Sequence, residues 1–492
     1  MVDLAQTAPA TAIWGADAGD YLNDLPALTS GDVNGDGLDD LLIGARFGDG
    51  PANGRADAGE AYLVFGRQAL PPELDLAAME AGVTIFGAHP NDQLGYDAIL
   101  ADVNDDGLQD VLLGAPFAPG TEGGAPTGVV YIILGAAEME SVLDLSTAGA
   151  DAVLIGPENS SYFGDALASA DFNGDGSADI LIGAPFARRP PGAQNARAQA
   201  GAAYVIFGGP DALGTRDISR GEYDIAVFGV NDSPHPDELG DRVAGGDLNA
   251  DGLDDLIITA EAADGPDDAR SVAAEVHVIF GAADLSGVLD LAAGDQDLTV
   301  WGAEQNDTLG FNLATGDVNG DGVDDLLMTA RGGDGEGNSI QEGGELHLVL
   351  GRRDLPGTID LAAGEGDAYV FGSDQAEMLA YGLAAADLNA DGTAEVLIGT
   401  PFGDGPAGDR PESGEVFALD LRSAPAPAGV LSLPRFLSIF GGQEDDGLGA
   451  AVTAGDMDGD GKPEVIVLAI LGDGRGDSRP DAGEIVVLRL PG

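Results

Sequence analysis

The chain has 492 residues, no cysteine and a formal net charge of −66, from 86 acidic against 20 basic side chains. This surplus argues against nucleic-acid binding, which needs a basic surface, and against attraction to an anionic membrane. The hydrophobic content of 44% is that of a folded protein, so the acidity does not indicate a disordered tail. No run approaches the ~18 apolar residues of a membrane-spanning helix, and the lack of cysteine excludes disulfides and thiol catalysis.

A short acidic pattern recurs seven times along the chain, at intervals of 69 to 76 residues. The first copy reads DVNGDGLDD, and the copies begin at Asp32, Asp102, Asp171, Asp247, Asp317, Asp387 and Asp456. Such regular spacing indicates an array of one supersecondary unit, in which every unit carries the same oxygen-rich loop.

Four short apolar runs make up each repeat, and the second repeat shows their order. One run enters the acidic loop at Asp102, and it is followed by DVLLGAPF (110–117), GVVYIILG (128–135) and AVLIG (152–156). The runs are rich in Val, Ile, Leu and Tyr and are bounded by Gly, Asp or Pro, which favours strands. Glycine interrupts every run and therefore disfavours helix.

Four strands in each of seven units predict an all-β, seven-bladed β-propeller with four antiparallel strands per blade. One such sheet cannot bury both faces alone, whereas neighbouring blades packed around a closed ring can. The last unit stops after its third run, EIVVLRL (484–490), and the first run of the chain, TAIWG (11–15), matches the fourth run of other units. We therefore predict that residues 11–15 complete the last blade, close the ring and cover an exposed edge.

The expected organisation is a single propeller domain over residues 1–492. Its blades are expected at about residues 17–88, 89–157, 158–230, 231–303, 304–373, 374–442, and 443–492 with 11–15. The N-terminal segment MVDLAQTAPATAIWG lacks the basic region and apolar core of a signal peptide, so the sequence does not indicate a route of export.

Glycine-containing motifs on either side of the acidic loop resemble the FG-GAP repeats of integrin α-subunit propellers. The third repeat has Phe163-Gly164 and then Gly183-Ala184-Pro185, and related pairs are Leu94-Gly95 with Gly114-Ala115-Pro116 and Tyr381-Gly382 with Gly399-Thr400-Pro401. The chain resembles a soluble, bacterial-type member of this family. The resemblance implies a seven-bladed propeller, calcium in the loop between the first two strands, and ligand binding on the opposite face. The motif is lost at Thr259-Ala260, Thr329-Ala330 and Leu468-Ala469.

The seven acidic loops offer the donors that Ca²⁺ takes, which are carboxylate and carbonyl oxygens at alternating positions. All-oxygen donors exclude zinc and copper as the intended metal, and magnesium prefers fewer protein ligands. About seven Ca²⁺ sites are expected. Their predicted ligands, the fourth of each set through its carbonyl, are Asp32, Asn34, Asp36, Leu38 and Asp40; Asp102, Asn104, Asp106, Leu108 and Asp110; Asp171, Asn173, Asp175, Ser177 and Asp179; Asp247, Asn249, Asp251, Leu253 and Asp255; Asp317, Asn319, Asp321, Val323 and Asp325; Asp387, Asn389, Asp391, Thr393 and Glu395; and Asp456, Asp458, Asp460, Lys462 and Glu464.

Two other interpretations of these loops fit the sequence less well. Asx and Gly clusters also form metal-free turns, but a turn does not need three crowded carboxylates, which repel one another without a cation. A helical EF-hand loop shares the opening pattern but requires a bidentate Glu at position twelve. That position is apolar in all seven copies, namely Ile43, Leu113, Ile182, Ile258, Met328, Ile398 and Val467.

Ten arginines fall in the connections between the second and third strands, on the end of the ring opposite the acidic loops. They are Arg46, Arg55, Arg188, Arg189, Arg197, Arg270, Arg331, Arg410, Arg475 and Arg479. One interpretation is that they pair with neighbouring acids. The other is that some of them recognise an acidic or hydroxylated ligand, for which we select Arg46, Arg188, Arg189, Arg331 and Arg475.

These patterns favour a calcium-binding, extracellular or cell-surface module for adhesion or recognition, with a protein or glycan ligand. Calcium outside the cytosol is abundant enough to fill loops of modest affinity. A monomer without membrane insertion and without catalytic residues is expected. Alternatives are a propeller hydrolase of the glycosidase or phospholipase type, which needs a central pocket with paired carboxylates, and a structural spacer in a larger secreted protein.

Overall fold

The computed structural model describes residues 1–22, 27–121, 123–147, 149–188, 199–210, 214–230, 236–335, 339–372, 378–406, 408–423, 435–474 and 478–490. It contains seven small sheets, each built on four antiparallel strands, and in six of the sheets these four strands follow one another in chain order. The predicted all-β, seven-bladed propeller is therefore confirmed.

The blades are numbered in chain order, and strand one of each precedes its acidic loop. Blades one to four contain Leu28–Gly31, Asp40–Ala45, Glu60–Val64 and Val83–Phe86; Ala98–Ala101, Asp110–Ala115, Val129–Ile133 and Ala152–Ile155; Leu167–Ala170, Asp179–Ala184, Ala202–Ile206 and Ile225–Phe228; and Leu239–Gly246, Asp255–Ala260, Glu275–Ile279 and Leu298–Trp301. Blades five to seven contain Leu309–Gly316, Asp325–Ala330, Glu345–Val349 and Ala368–Phe371; Gly382–Ala386, Glu395–Thr400, Glu415–Leu419 and Arg435–Phe440; and Leu448–Gly455, Glu464–Ala469, Glu484–Leu488 and Thr11–Trp14.

The blades pack against one another through continuous apolar faces. Strand two of every blade has six residues, all of them buried, because both faces of the strand meet a neighbouring blade. One core cluster, for example, joins Leu42 and Leu63 of blade one to Val111 and Leu113 of blade two. The innermost first strands of neighbouring blades also contact each other, including those of blades seven and one.

The start of the chain lies in the last blade. Thr11–Trp14 pairs antiparallel with Glu484–Leu488, with Ile13 opposite Ile485. Ile13 is fully buried in a core cluster that also contains Leu41 of blade one and Ile466 of blade seven. The fourth strand of blade seven therefore comes from the opposite end of the chain to the other three.

Within the described residues, six of the sheets have a fifth strand, which runs parallel to strand four on the outer edge and which the prediction of four strands per blade omitted. It comes from the connection that precedes strand four of the next blade, so each such strand bridges two blades. The bridging strands are Val142–Asp144 on blade one, Arg216–Asp217 on blade two, Gly287–Asp290 on blade three, Thr358–Asp360 on blade four, Val2–Asp3 on blade six and Glu73–Asp75 on blade seven.

Short 3-10 helices complete the described elements. They are Pro51–Asn53, Leu76–Ala78, Ile218–Arg220, Pro266–Asp268, Leu291–Ala293, Leu361–Ala363 and Leu421–Ser423. Several begin directly after a bridging strand, where an aspartate such as Asp360 caps the helix by accepting a hydrogen bond from the Ala362 amide at 3.0 Å.

Four arginines of the strand two–three connections clamp the bridging strands. Arg55, Arg270, Arg410 and Arg479 pair with Asp144, Asp360, Asp3 and Asp75, at 2.6 to 2.8 Å. In each pair the arginine belongs to one blade and the aspartate to a strand arriving from the next. These four arginines therefore follow the first interpretation, in which they pair with acids.

We predict that Arg270→Ala lowers the free energy of unfolding by about 2 kcal/mol, because hydrogen bonds to a charged group are among the stronger ones. Arg270 donates to both oxygens of Asp360, at 2.8 and 2.6 Å, and to the Gly302 carbonyl at 2.7 Å. Urea unfolding measures the loss. The exposed Arg353 supplies the control, since Arg353→Ala is expected to change stability by less than ~0.5 kcal/mol. Equal losses in the two variants would contradict the clamp.

The FG-GAP glycines are explained by close approach between blades. A Cβ on Gly114 of blade two would lie 2.1 Å from the Gly164 carbonyl oxygen of blade three, so only glycine fits. The two threonines that replace this glycine use their hydroxyls instead. Thr259 donates to the Gly310 carbonyl of the next blade at 3.4 Å, and the Thr329 hydroxyl accepts from the Asn312 amide at 2.9 Å.

Candidate metal centres and ligand face

All seven acidic loops lie between strands one and two, at one end of the ring, and share one geometry. In loop one, Asp32 accepts hydrogen bonds from the amides of Gly35 at 2.7 Å and Gly37 at 2.8 Å, while Asp36 accepts from the Leu38 amide at 3.0 Å. Gly37 has a φ of 82°, as its predicted place in a sharp turn requires. The equivalent bond from the loop glycine to the first aspartate recurs in the other six loops, at 2.7 to 2.9 Å.

The residue that closes each loop is the first residue of strand two and is almost fully buried. Asp40 accepts from the amides of Val33 at 3.0 Å and Gly66 at 2.9 Å, which fixes its carboxylate beside the loop. Burial raises the pKa of Asp40 to about 6, and the charges of Asp36 and Asp32 raise it further. The same causes raise the pKa of Glu395 and Glu464 to about 7. These crowded carboxylates favour a cation among them.

The donor set fits a hard divalent cation. In loop seven, one carboxylate oxygen from each of Asp456, Asp458 and Glu464 lies within 4.8 Å of the others. The EF-hand interpretation is excluded, because the position-twelve residues, such as Ile43 and Leu113, are buried inside strand two rather than in a helix.

Arginines distinguish the last two loops from the first five. Arg422 pairs with Asp391 of loop six, and it also pairs with Asp420 at 2.6 Å. Arg489 pairs with Asp458 of loop seven and lies 3.8 Å from Glu464. Both loops close with Glu rather than Asp. The sequence predicts a metal site in all seven loops, whereas in the structure the arginines at loops six and seven already pair with the carboxylates that would hold the metal.

The opposite end of the ring is formed by the segments that enter strand one and leave strand two. Two predicted ligand arginines lie here and stack on aromatic rings. The Arg46 guanidinium is 4.9 Å from the centre of the Phe47 ring and 5.1 Å from that of Tyr96, and Arg331 is 4.6 Å from Phe311. Arg188 is exposed, and its amide donates to Glu158 at 2.5 Å. Arg189 and Arg475 lie outside the described residues.

Aromatic side chains continue across this face from blade to blade. Tyr96, Phe117, Tyr162 and Phe186 follow one another in blades two and three, with ring centres 4.8 to 6.1 Å apart. In blades five and six, Phe311, Tyr381 and Phe402 form a second series at 5.2 and 6.5 Å. The second series borders a cleft of about 140 Å³ that is also lined by Ile470 and Leu471 of blade seven. We call this surface the aromatic face.

A buried charge cluster interrupts the aromatic face at blade four, and sequence reasoning missed it. Arg242 has a side chain only 9% exposed, donates to the Asp241 carboxylate at 3.2 Å and lies 4.0 Å from Asp165. Its Nε has no hydrogen-bond partner among the described residues. Burial and the charge of Asp241 raise the pKa of Glu261 to about 7. The sequence signal that could have revealed this cluster is the position of Asp165 and Asp241, each of which directly follows the glycine of the FG motif.

Comparison with known proteins agrees with this architecture. The FG-GAP repeat model matches residues 26–64, 94–133, 163–206, 309–349 and 379–419. The chain thus contains five FG-GAP repeats within a seven-bladed, integrin-α-like propeller. The FG-GAP motifs recur in blades one, two, three, five and six, and the geometry of blades four and seven follows the same plan.

Curated relatives come from two groups of proteins. Human phosphatidylinositol-glycan-specific phospholipase D is 33% identical over 217 residues, which cover 42% of this chain and 24% of the relative. Integrin alpha-5 of Xenopus laevis is 29% identical over 241 residues, covering 48% of this chain and 19% of the relative. The chain thus spans less than a quarter of the length of these relatives. Among solved structures, BBS1N in complex with ARL6DN aligns with a TM-score of 0.45 and 11% identity, over 97% of this chain and 94% of that chain.

Helices in the described part of the chain are all too short to pass through a lipid bilayer.

Proposed function

We propose that this FG-GAP propeller is a calcium-binding recognition module that acts outside the cytosol, with a protein or glycan as its ligand. Calcium would be held by the seven acidic loops at one end of the ring, and the ligand by the aromatic face at the other. The similarity to integrin α and to phosphatidylinositol-glycan-specific phospholipase D supports a propeller used within larger proteins, and a spacer role in such a protein remains the simplest alternative.

Calcium would act on the fold rather than on a substrate. Each ion would join the end of strand one to the start of strand two and offset the charge of the buried closing acid, such as Asp40. Loops one to five would bind most tightly, because loops six and seven already contain Arg422 and Arg489. The residues that would hold the metal are those predicted from the sequence, with Asp40 and its equivalents supplying the buried carboxylate.

The observation that supports a recognition role is the pairing of arginines with aromatic rings on the aromatic face. Arg46 with Tyr96 and Arg331 with Phe311 present flat apolar rings beside fixed positive charge. Aromatic and arginine side chains dominate the energy of protein recognition sites, and aromatic rings offer flat surfaces for stacking. In so acidic a chain, arginines concentrated here would also select ligands that bear carboxylate or hydroxyl groups.

The test is binding to an immobilised panel of glycans and extracellular matrix proteins in millimolar calcium. We expect Tyr96→Ala and Arg46→Ala to weaken binding roughly tenfold or more, since central aromatic and arginine anchors carry most of the binding energy. Arg353→Ala, at an exposed site near acidic loop five, is the matched control and should bind as the wild type does. A melting temperature unchanged from wild type shows that each variant is folded. Wild-type affinity in all three variants would contradict the proposed face.

A second candidate is a hydrolase, which the buried carboxylates of blade four favour. Glu261 is held partly protonated near neutral pH while Asp241 lies beside it, and such pairs occur as acid and base in hydrolases. Release of reducing sugars or phosphate from panel compounds by the wild type, abolished in Glu261→Gln, would favour this candidate. Binding without turnover would favour recognition.

A further inference from the structure

Five blades have a second acidic cluster, on the end of the ring opposite the acidic loops. In blade one it consists of Asp49 in the strand two–three connection, Glu60 at the start of strand three, and Asp20 in the segment that enters the blade. We call each such group an upper cluster. The equivalents are Asp264, Glu275 and Asp237 in blade four; Asp334, Glu345 and Asp307 in blade five; and Asp473, Glu484 and Asp446 in blade seven. Blade six has Asp404 and Glu415, but residues 373–377 of its entering segment lie outside the described part.

The connection aspartate and the strand-three glutamate of an upper cluster occur together or not at all, whereas blade two keeps only the entering aspartate, Asp92. Blades two and three have Val129 and Ala202 in place of the glutamate, and their strand two–three connections lack the Asp-Gly step. If each acid only shaped its own turn, a repeat could lose one acid and keep the other. The joint presence of the connection aspartate and the strand-three glutamate indicates a shared task for these two acids.

Blade two also shows what the entering aspartate does when it only forms a turn. The Asp92 carboxylate accepts from the His89 amide at 2.9 Å and lies 3.1 Å from the His89 ring nitrogen. Asp20, at the equivalent position of blade one, is only 6% exposed, and its Oδ2 has no hydrogen-bond partner among the described residues. A buried carboxylate oxygen without a donor is costly, so Asp20 is not explained as a turn former.

The other two acids of blade one are held in place beside Asp20. Glu60 is 4% exposed, and its side chain packs on Gly48, where a Cβ would lie 2.4 Å from the glutamate Cγ. Asp49 accepts from the Asp57 amide at 3.0 Å, and the equivalent bond recurs at 2.9 to 3.3 Å in blades four, five, six and seven. Burial raises the pKa of Asp20 to about 7, and the charges of Glu60, Asp17 and Asp49 act in the same direction.

We propose that the upper clusters are a second set of divalent-cation sites, separate from the seven acidic loops. The site of blade one would be formed by Asp20, Asp49 and Glu60, and the sites of blades four, five and seven by their equivalents. Carboxylate oxygens alone favour calcium over transition metals. Such an ion would supply the missing partner of Asp20 and would tie the entering segment to the strand two–three connection.

Native mass spectrometry in calcium provides the test, through the number of ions bound per folded chain. Asp20→Asn keeps the shape of the side chain but removes its charge, so it is expected to lose one ion. The matched control Asp92→Asn, in the blade without an upper cluster, is expected to lose none. Asp36→Asn, in acidic loop one, is expected to lose one ion independently and reports on the loops alone.

Equal ion counts for wild type, Asp20→Asn and Asp49→Asn would overturn the second set. The Asp49→Asn variant guards against misfolding, because asparagine can still accept the Asp57 amide hydrogen bond, and circular dichroism verifies its fold. Loss of an ion in Asp36→Asn together with equal counts for both upper-cluster variants would leave the acidic loops intact as calcium sites. Loss in the upper-cluster variants alone would support the second set and count against the loops.

Discussion

Chelation of calcium with EDTA is expected to lower the melting temperature of the protein by roughly 15 °C. A ligand present at a hundredfold excess over its Kd stabilises a fold by about 2.7 kcal/mol per site, so several filled loops act together. For a chain of this size, each kcal/mol corresponds to about 1 °C. The expected drop in melting temperature comes from the buried acids that close the loops, because without a cation these acids face the charges of the other loop carboxylates. Differential scanning calorimetry in EDTA and in millimolar calcium measures the difference.

Matched variants distinguish the contribution of loop one to calcium-dependent stability from that of loop six. Asp36→Asn removes one charge of loop one, whereas Asp391→Asn removes the equivalent charge of loop six, which Arg422 already offsets. We expect the loop-one variant to lose more of the calcium-dependent stabilisation than the loop-six variant. Both asparagines can still accept the bond that the aspartate takes from the amide two residues later. Identical melting temperatures in EDTA and in calcium would refute calcium binding as a source of stability.

Deletion of residues 1–15 is expected to destabilise the whole ring and to cause self-association. The deletion removes the strand Thr11–Trp14, whose Ile13 is fully buried, and exposes the edge of Glu484–Leu488. Loss of one buried isoleucine side chain alone costs about 2–5 kcal/mol, and an open strand edge is a template for pairing with another chain. Thermal unfolding and light scattering measure the two effects.

Two controls make this result specific to ring closure. Deletion of residues 1–8 removes the bridging strand Val2–Asp3 and the Asp3 partner of Arg410 but leaves Thr11–Trp14 in place, so it should cost about 2 kcal/mol, as Arg270→Ala does, without self-association. A synthetic peptide of residues 1–16, added to the longer deletion, should restore the melting temperature by pairing with Glu484–Leu488. A monomeric deletion variant with wild-type stability would show that the N-terminal strand is dispensable.

Several details were absent from the sequence prediction because they depend on contacts between blades. The short run VLD at residues 142–144 forms a strand only through its parallel pairing with Val83–Phe86 of the preceding blade. Likewise, Arg55 looked like a member of one set with Arg46, yet one clamps a bridging strand and the other stacks on Tyr96. Two arginines of the same connection thus have different kinds of partner.

The sequence by itself determined the fold class, the number of blades and the geometry of the acidic loops. These features are local and repeated: strand-forming runs, glycines at positive φ, and carboxylates at alternating positions lie within a few residues of one another, so their spacing alone specifies the structure. The tertiary structure decided which distant groups meet. Asp165 of blade three joins Arg242 and Glu261 of blade four in one cluster only because the two blades pack side by side. Likewise, the segment that enters blade one brings Asp20 close enough to feel the charge of Glu60, and burial raises the pKa of both Asp20 and Glu261.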